Sequence, residues 1–214
     1  MKFSIGLIRR RLNIKNEREY AAIILAAGES KRMGEPKLLL EIGGKPLIIN
    51  ALELATSSVA QEVFVVTGSN SAQLKTQITN WQDGLLSSKV SIIYNQDWQE
   101  GIASSIRTGI LHAQEFDVVL IMLADQPELT IGHLDAIFTG ARNSPCGMSA
   151  TFFVNTIGPP CAFRQEHYDH LFALRGDSGA KQYLVSHYDE VTKVQTGNLW
   201  LDIDTPQDFT KFKK

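Results

Sequence analysis

The sequence predicts an α/β protein built in three layers around a doubly wound, mostly parallel sheet. Two observations carry this. Four short runs, Ala21–Ala26 (AAIILA), Glu62–Thr67 (EVFVVT), Val90–Tyr94 (VSIIY) and Asp117–Leu123 (DVVLIML), are apolar almost throughout instead of alternating. Strands apolar on both faces belong in a sheet that is covered on both sides. Segments with helical spacing separate these runs, and strand–helix alternation of this kind is the pattern of parallel α/β sheets.

Each element has its own local signal. Ala21–Ala26 is the first strand. Pro46–Ser57 has helical spacing, and its proline suits a first turn, where no N–H is needed. Glu62–Thr67 is the second strand, followed by a helix over Ser71–Ile78. After the third strand, Val90–Tyr94, the residues Ile102, Ile106 and Ile110 recur every four positions and lay an apolar stripe on a helix over Ile102–Ala113. Asp117–Leu123 is the fourth strand, and Thr130 caps a helix running through Thr139. Beyond residue 145 the pattern loosens. Short strands are expected near Met148–Val154 and Pro160–Phe163, and helices near Gln165–Ala173 and Gly179–His187. Strands near Val191–Gln195 and Leu199–Ile203 lead to a last helix opened by Thr205-Pro206. There is no internal repeat or low-complexity linker, so residues 20–214 read as one domain. Residues 1–19 carry six cations against two anions and read as a basic N-terminal extension.

Bulk properties narrow the function classes. The 214 residues are 43% hydrophobic, enough for an ample core, and the formal net charge of −2 argues against a nucleic-acid groove or a basic membrane face. No apolar run reaches membrane-spanning length, and the apolar part of MKFSIGLIRRRL is too short for a secretory core. Cys146 and Cys161 lack metal-type spacing, and a reducing, cytoplasmic compartment is expected.

The first strand empties into LAAGESKRMGEPK, residues Leu25 to Lys37. Ligands of parallel sheets sit beyond the carboxyl ends of the strands, where this loop lies. Gly28 and Gly34 permit positive φ and close backbone approach. Free amides in such a turn form an anion-binding concavity, and Lys31, Arg32 and Lys37 add charge around it. A triphosphate most simply accounts for that cation density in an acidic domain. The loop is not a P-loop, because Glu35-Pro36 follows Gly34, and GxGxxG is absent. On composition alone, an ordinary solvated loop explains it equally well.

The full pattern Leu25-Ala26-Ala27-Gly28, Ser30, Arg32-Met33-Gly34, Pro36-Lys37 resembles the signature loop of nucleotidyltransferases. These enzymes move a nucleoside monophosphate from an NTP onto a phosphate or similar acceptor. The resemblance implies a sheet of the nucleotide-diphospho-sugar transferase type. It also implies that Ala26, Ala27 and Gly28, with Leu25 beside them, lie along the nucleotide base, and that Arg32 and Lys37 clasp the phosphates.

Phosphates in this chemistry usually arrive with Mg²⁺, which wants oxygen ligands. The fourth strand ends in Leu123-Ala124-Asp125-Gln126-Pro127. In a doubly wound order of 3-2-1-4, strands one and four are neighbours, so Asp125 falls beside the Gly28 loop. It is the expected metal ligand, although a turn aspartate stiffened by Pro127 reads similarly. A second acidic cluster holds Asp202, Asp204 and Asp208. The resemblance carries a metal role to Asp204. Asp202 shares its face if the segment is strand. Asp204 or Thr205 alternatively caps the last helix, and Asp208 is a helix N-terminal charge. Lys37, Arg32 and Asp125 are thus the expected catalytic residues, and the acceptor phosphate, already anionic, needs no protein nucleophile.

Asn95 to Gly109 resembles the N-x5-G-[IM]-x-x-S-[IL]-x-x-G segment of the molybdenum cofactor nucleotidyltransferases, most of all their cytidylyltransferase branch. Asn95, Gly101 and Ser104 are then expected at the nucleotide, the last two opening a helix. Gly158–Phe163 and Leu174–Lys181 resemble two later segments of the group, the second placing Asp177 near the acceptor. Guanylyltransferase relatives tend to read LAGG and cytidylyltransferase relatives LAAG. A methyl at Ala27 crowds a purine more than a pyrimidine, which favours CTP over GTP. The resemblance implies a molybdopterin-type phosphate acceptor and a molybdoenzyme client. Alternatives are a guanylyltransferase, a sugar- or polyol-phosphate nucleotidyltransferase, and a non-catalytic delivery module. His167 and His170 lie i, i+3 without a third ligand and read as a solvated face. Trp81, Trp98 and Trp200 read as packing residues rather than stacking platforms.

Overall fold

The computed structural model describes residues 18–83, 89–195 and 202–212. Its strands are β1 (Tyr20–Ala26), β2 (Glu41–Ile42), β3 (Lys45–Pro46), β4 (Glu62–Thr67), β5 (Val90–Tyr94), β6 (Val118–Leu123), β7 (Met148–Phe153), β8 (Thr156–Arg164) and β9 (Thr192–Gln195). Its helices are α1 (Leu47–Ser57), α2 (Ser71–Asp83), α3 (Ile102–Ala113), α4 (Ile131–Asn143), α5 (Tyr168–Phe172), α6 (Ala180–Ser186) and α7 (Pro206–Thr210). The main sheet has seven strands in the order β5-β4-β1-β6-β8-β7-β9. Only β8 runs against the others, pairing antiparallel with β6 and β7. The first four strands expected from sequence therefore stand in the expected 3-2-1-4 order.

The central strand shows why the sheet is covered on both faces. Ala21, Ala22, Ile23 and Ile24 of β1 are fully buried. Successive side chains alternate between two cores, since strand side chains point to opposite faces in turn. Ala22, Ile24 and Ala26 pack with Ile48 and Leu52 of α1 and Leu134 and Phe138 of α4. Ala21 and Ile23 pack with Ile106 and Ile110 of α3 and with Phe163 and Leu171. Each buried isoleucine contributes about 1.5–3 kcal/mol of transfer free energy. Helix α3 approaches β1 closely at Gly109, where an added Cβ would stand 2.6 Å from Ile23 Cγ2.

Several boundaries differ from expectation for physical reasons. Helix α2 runs on to Asp83, past Ile78, with Leu74 and Ile78 as its buried face. The segment expected as one helix over residues 165–173 begins as a 3-10 turn, Gln165–His167, and becomes α-helical only at Tyr168. A two-residue hairpin, β2 with β3, precedes α1, turned by Gly43 and Gly44. Pro46 belongs to that hairpin, and α1 starts at Leu47. The expected strand over 199–203 lies partly outside the described residues, and Asp202, Ile203 and Asp204 belong to no regular element. All but two residues of the basic extension also lie outside. Among the described residues, no helix is long and apolar enough to cross a membrane.

Candidate active site

Beyond the carboxyl ends of β1 and β6 the surface sinks into a hollow of about 770 Å³. Leu25 to Gly28, Arg32 and Lys37 form one wall, Asp125 and Asp204 lie with them, and Gly101 and Asp177 belong to its lining as well. These ten residues, all expected at the site from sequence, therefore line one cavity. They reach it from segments remote in the chain because β1 and β6 are adjacent and parallel.

The loop after β1 is held by its own turns. Met33 N donates to Ser30 O at 2.9 Å, and Lys37 N donates to Ser30 Oγ at 3.2 Å. The positive φ expected of both glycines is used by Gly34, at +72°, and by Ser30 rather than Gly28. A Cβ on Gly28 would meet nothing within 4 Å, so that position opens on free space. Met33 is buried against Leu47, Ile203 and Phe209, which ties the loop to the segment carrying Asp204. Ile203 N in turn donates to Asp125 O at 3.1 Å.

Lys37 is the centre of the charge cluster. Its Nζ donates to Asp125 Oδ2 in a short ion pair, to Asp204 Oδ1 at 3.1 Å and to Ile203 O at 3.1 Å. Burial pulls the ammonium down, but the Asp125 and Asp204 carboxylates together raise it above its ordinary 10.5, so it stays charged. Arg32, largely exposed, reaches the other oxygen of Asp204 at 3.2 Å. Asp202 accepts from Gln126 Nε2 at 2.8 Å. Its carboxyl is raised, first by burial and then by the nearby charge of Asp125. Thr205, not Asp204, caps α7, and Asp208 closes a capping box with it.

The donor set suits a hard divalent cation. Asp125 Oδ1 is buried and has no hydrogen-bond partner. An unmatched buried oxygen costs about 1–3 kcal/mol, and far less once a cation faces it. Asp204 offers a second carboxylate, and the Lys37 ammonium already draws the two together. Among the described residues, no three His, Cys, Asp or Glu gather as a metal cage. Two carboxylates completed by substrate phosphates and water are a usual environment for Mg²⁺.

Asn95 and Ser104 are placed differently from expectation. Both are buried, at 2% exposure. Asn95 Nδ2 donates to Ser104 Oγ at 2.8 Å and to Ser105 Oγ at 3.1 Å, while Ser104 Oγ donates to Gly101 O at 2.9 Å. They brace the wall from behind, and Ser105 lines the hollow instead of Ser104. The Glu100–Arg107 pair carries no periodic signal in the sequence, because Glu100 ends the 3-10 turn before Gly101 and Arg107 sits inside α3. His167 does not face solvent: its Nε2 donates to Cys146 O at 2.6 Å, and its Nδ1 meets the Tyr183 hydroxyl at 2.9 Å. Trp98 lines the hollow.

Comparison with known proteins agrees with this geometry. Residues 22–191 match the MobA-like NTP transferase domain. The purine catabolism protein PucB of Bacillus subtilis is 29% identical over 197 residues, covering 90% of this chain and 95% of that protein. Nicotine blue oxidoreductase of Paenarthrobacter nicotinovorans is 29% identical over 76% of this chain and 79% of that protein. The molybdenum cofactor cytidylyltransferase of Escherichia coli is 24% identical over 90% of this chain and 94% of that protein. In structure, Rv0371c from Mycobacterium tuberculosis superposes with a TM-score of 0.77 at 20% identity, covering 91% of this chain and 97% of that one. Its manganese complex superposes with a TM-score of 0.74. With the signature loop, the sheet order and the matched span in agreement, the chain belongs to the MobA-like NTP transferase domain family and is a nucleotidyltransferase.

Proposed function

We propose that the protein transfers CMP from CTP to the phosphate of molybdopterin or molybdenum cofactor, releasing pyrophosphate, with Mg²⁺ as its metal. The observation that carries this is the meeting of Lys37, Asp125 and Asp204 in the hollow lined by the Gly28 loop. The cytidylyltransferase relative and the alanine at position 27 support CTP over other nucleotides.

Asp125 and Asp204 would hold the Mg²⁺, which when bound supplies positive charge at the phosphoryl oxygens. The chain's own groups do the rest. The backbone at Gly28 is open for close approach by the nucleotide. Lys37 stays protonated, and its three hydrogen bonds can be shared with a phosphate oxygen as the polyphosphate enters. Arg32, on the exposed rim, meets the outer phosphates. An acceptor phosphate oxygen attacks the α-phosphorus in line, and the bond to pyrophosphate breaks. Lys37 and Arg32 offset the charge that builds on the leaving group. Asp177 faces the acceptor. Positioning and electrostatics carry the rate, with no covalent intermediate on the protein.

Cys146 and Cys161 are free thiols, which suits a reducing compartment. The reaction then belongs in the cytoplasm, with a molybdoenzyme as client. The test is pyrophosphate release with each NTP in the presence of molybdopterin and Mg²⁺. Release with CTP alone is the expected result. Release with GTP instead makes the enzyme a guanylyltransferase, and tight binding without release makes it a delivery module.

A further inference from the structure

Trp98 has no part in the reaction as described, yet its placement is specific. It opens the 3-10 turn Trp98–Glu100 and lines the hollow beside Gly101. Gly68, just after β4, is approached by both Trp98 and the nucleotide loop. A Cβ added to Gly68 would stand 2.7 Å from Ala27 O, 2.7 Å from Trp98 Cβ and 2.8 Å from Trp98 Cγ. The base of the indole and the carbonyl of Ala27 thus both crowd the point where a side chain on residue 68 would start. That contact exists only because residue 68 has no side chain.

The turn carrying Trp98 is braced at both ends. At its start, Asn95 Oδ1 accepts from Asp97 N at 3.0 Å, while Asn95 Nδ2 holds the serines of α3. At its end, Gly101 has φ of +122°, and a Cβ there would lie 2.5 Å from both Gly176 O and Asp177 Oδ1. The Ala27 side is fixed as well, because Ser69 N donates to Ala27 O at 3.2 Å. Neither wall can retreat without breaking these contacts. Trp98 is half-buried, and among the described residues no aromatic ring stacks on it where it lines the hollow.

We propose that Trp98, seated on Gly68 and facing the Ala27 backbone, is a specificity-determining wall of the nucleobase pocket that limits the base to a pyrimidine. This rests on the reading that the Ala26–Gly28 backbone holds the base of an NTP. It extends the size selection from the Ala27 methyl to a rigid aromatic surface. It also gives Asn95 and Ser104 a role: they position the wall without touching the nucleotide.

The test measures Kd for CTP, GTP and inorganic tripolyphosphate, each with Mg²⁺, by calorimetry on the full chain. Trp98→Ala is expected to shift the CTP:GTP affinity ratio toward GTP by about tenfold or more. Trp98→Phe, which keeps a ring, shifts it less. Gly68→Ala forces Trp98 or the Ala27 loop aside and is expected to move the same ratio, which covers the case of Trp98→Ala failing to fold. Tripolyphosphate has no base and reports the phosphate grip alone. A ratio unchanged in the variants that fold overturns the wall and leaves the nucleotide reading standing. Affinity lost equally for all three ligands also overturns it. A wild type that binds tripolyphosphate but neither nucleotide sinks the nucleotide reading and the wall together. If the wild type prefers GTP, the pyrimidine limit is overturned and the choice of CTP falls with it.

Discussion

Two ion pairs flank the same hollow and differ in what they leave unmatched. Lys37 and Asp125 are buried together, and Asp125 keeps one oxygen without a partner. Arg107 and Glu100 meet side by side, at 2.8 Å and 2.5 Å. Arg107 also donates to Leu174 O at 2.7 Å, and Glu100 accepts from Gly176 N at 3.1 Å. The hydrogen bond from Arg107, with help from Gly176, holds the Glu100 carboxyl down at about 2. The second pair is saturated and works as a strut that ties the Asp177 segment to α3. The first is unsaturated, and in the proposed reaction its open oxygen meets the metal. Charge alone marks neither as a site; the unmatched valence does.

Breaking the unsaturated pair should have the largest effect. Asp125→Asn removes a charge and almost no volume, and turnover is expected to fall by about 10³-fold. Circular dichroism should still report the native fold, because Lys37 retains Asp204 and Ile203 O. A near-normal rate would remove Asp125 from the chemistry. Lys37→Ala should lower kcat/KM for the nucleotide by about 10²-fold. It also leaves Asp125 without its cation, so thermal melting should move down. A melting shift with unchanged kinetics would make Lys37 structural only.

Breaking the strut should act on one substrate. Glu100→Gln is expected to raise the acceptor KM severalfold while the KM for the nucleotide holds, and equal changes in both would make the strut a general support. Its pH behaviour sharpens the contrast. Because the folded Glu100 value lies below its ordinary 4.5, the strut's contribution is present above that value and is lost as pH falls toward about 2. The smallest effect is expected at Ala27→Gly, a shift of CTP:GTP preference toward GTP of a few-fold. No shift in measured kcat/KM ratios would show that the methyl plays no part in base choice.

What could be read from sequence follows the same division. Strands β1, β4 and β6 were legible because covered strands must be apolar along their length, and edge strand β5 because its run VSIIY is β-branched and apolar even though Ser91 and Tyr94 are exposed. Asp125 was legible because it ends such a strand, and α3 because Ile102, Ile106 and Ile110 mark one face. Asn95 and Ser104 were placed in the correct region but given the wrong facing. A motif fixes which residues gather, not whether a side chain turns into the cavity or away from it. That choice depends on how closely α3 approaches the end of β5. The ring of His167 was unreadable for a similar reason, since its partner Tyr183 arrives from a different helix. The β2–β3 hairpin is too short to carry any periodicity.

The packing of Met33 on Ile203 and Phe209 has a consequence for shortened chains. In a released chain cut short after β9 every strand of the sheet is present, yet the first loop has no floor and the Asp204 carboxylate is missing. Such a truncated chain is expected to look folded by its backbone and still lack the Asp204 partner of Lys37.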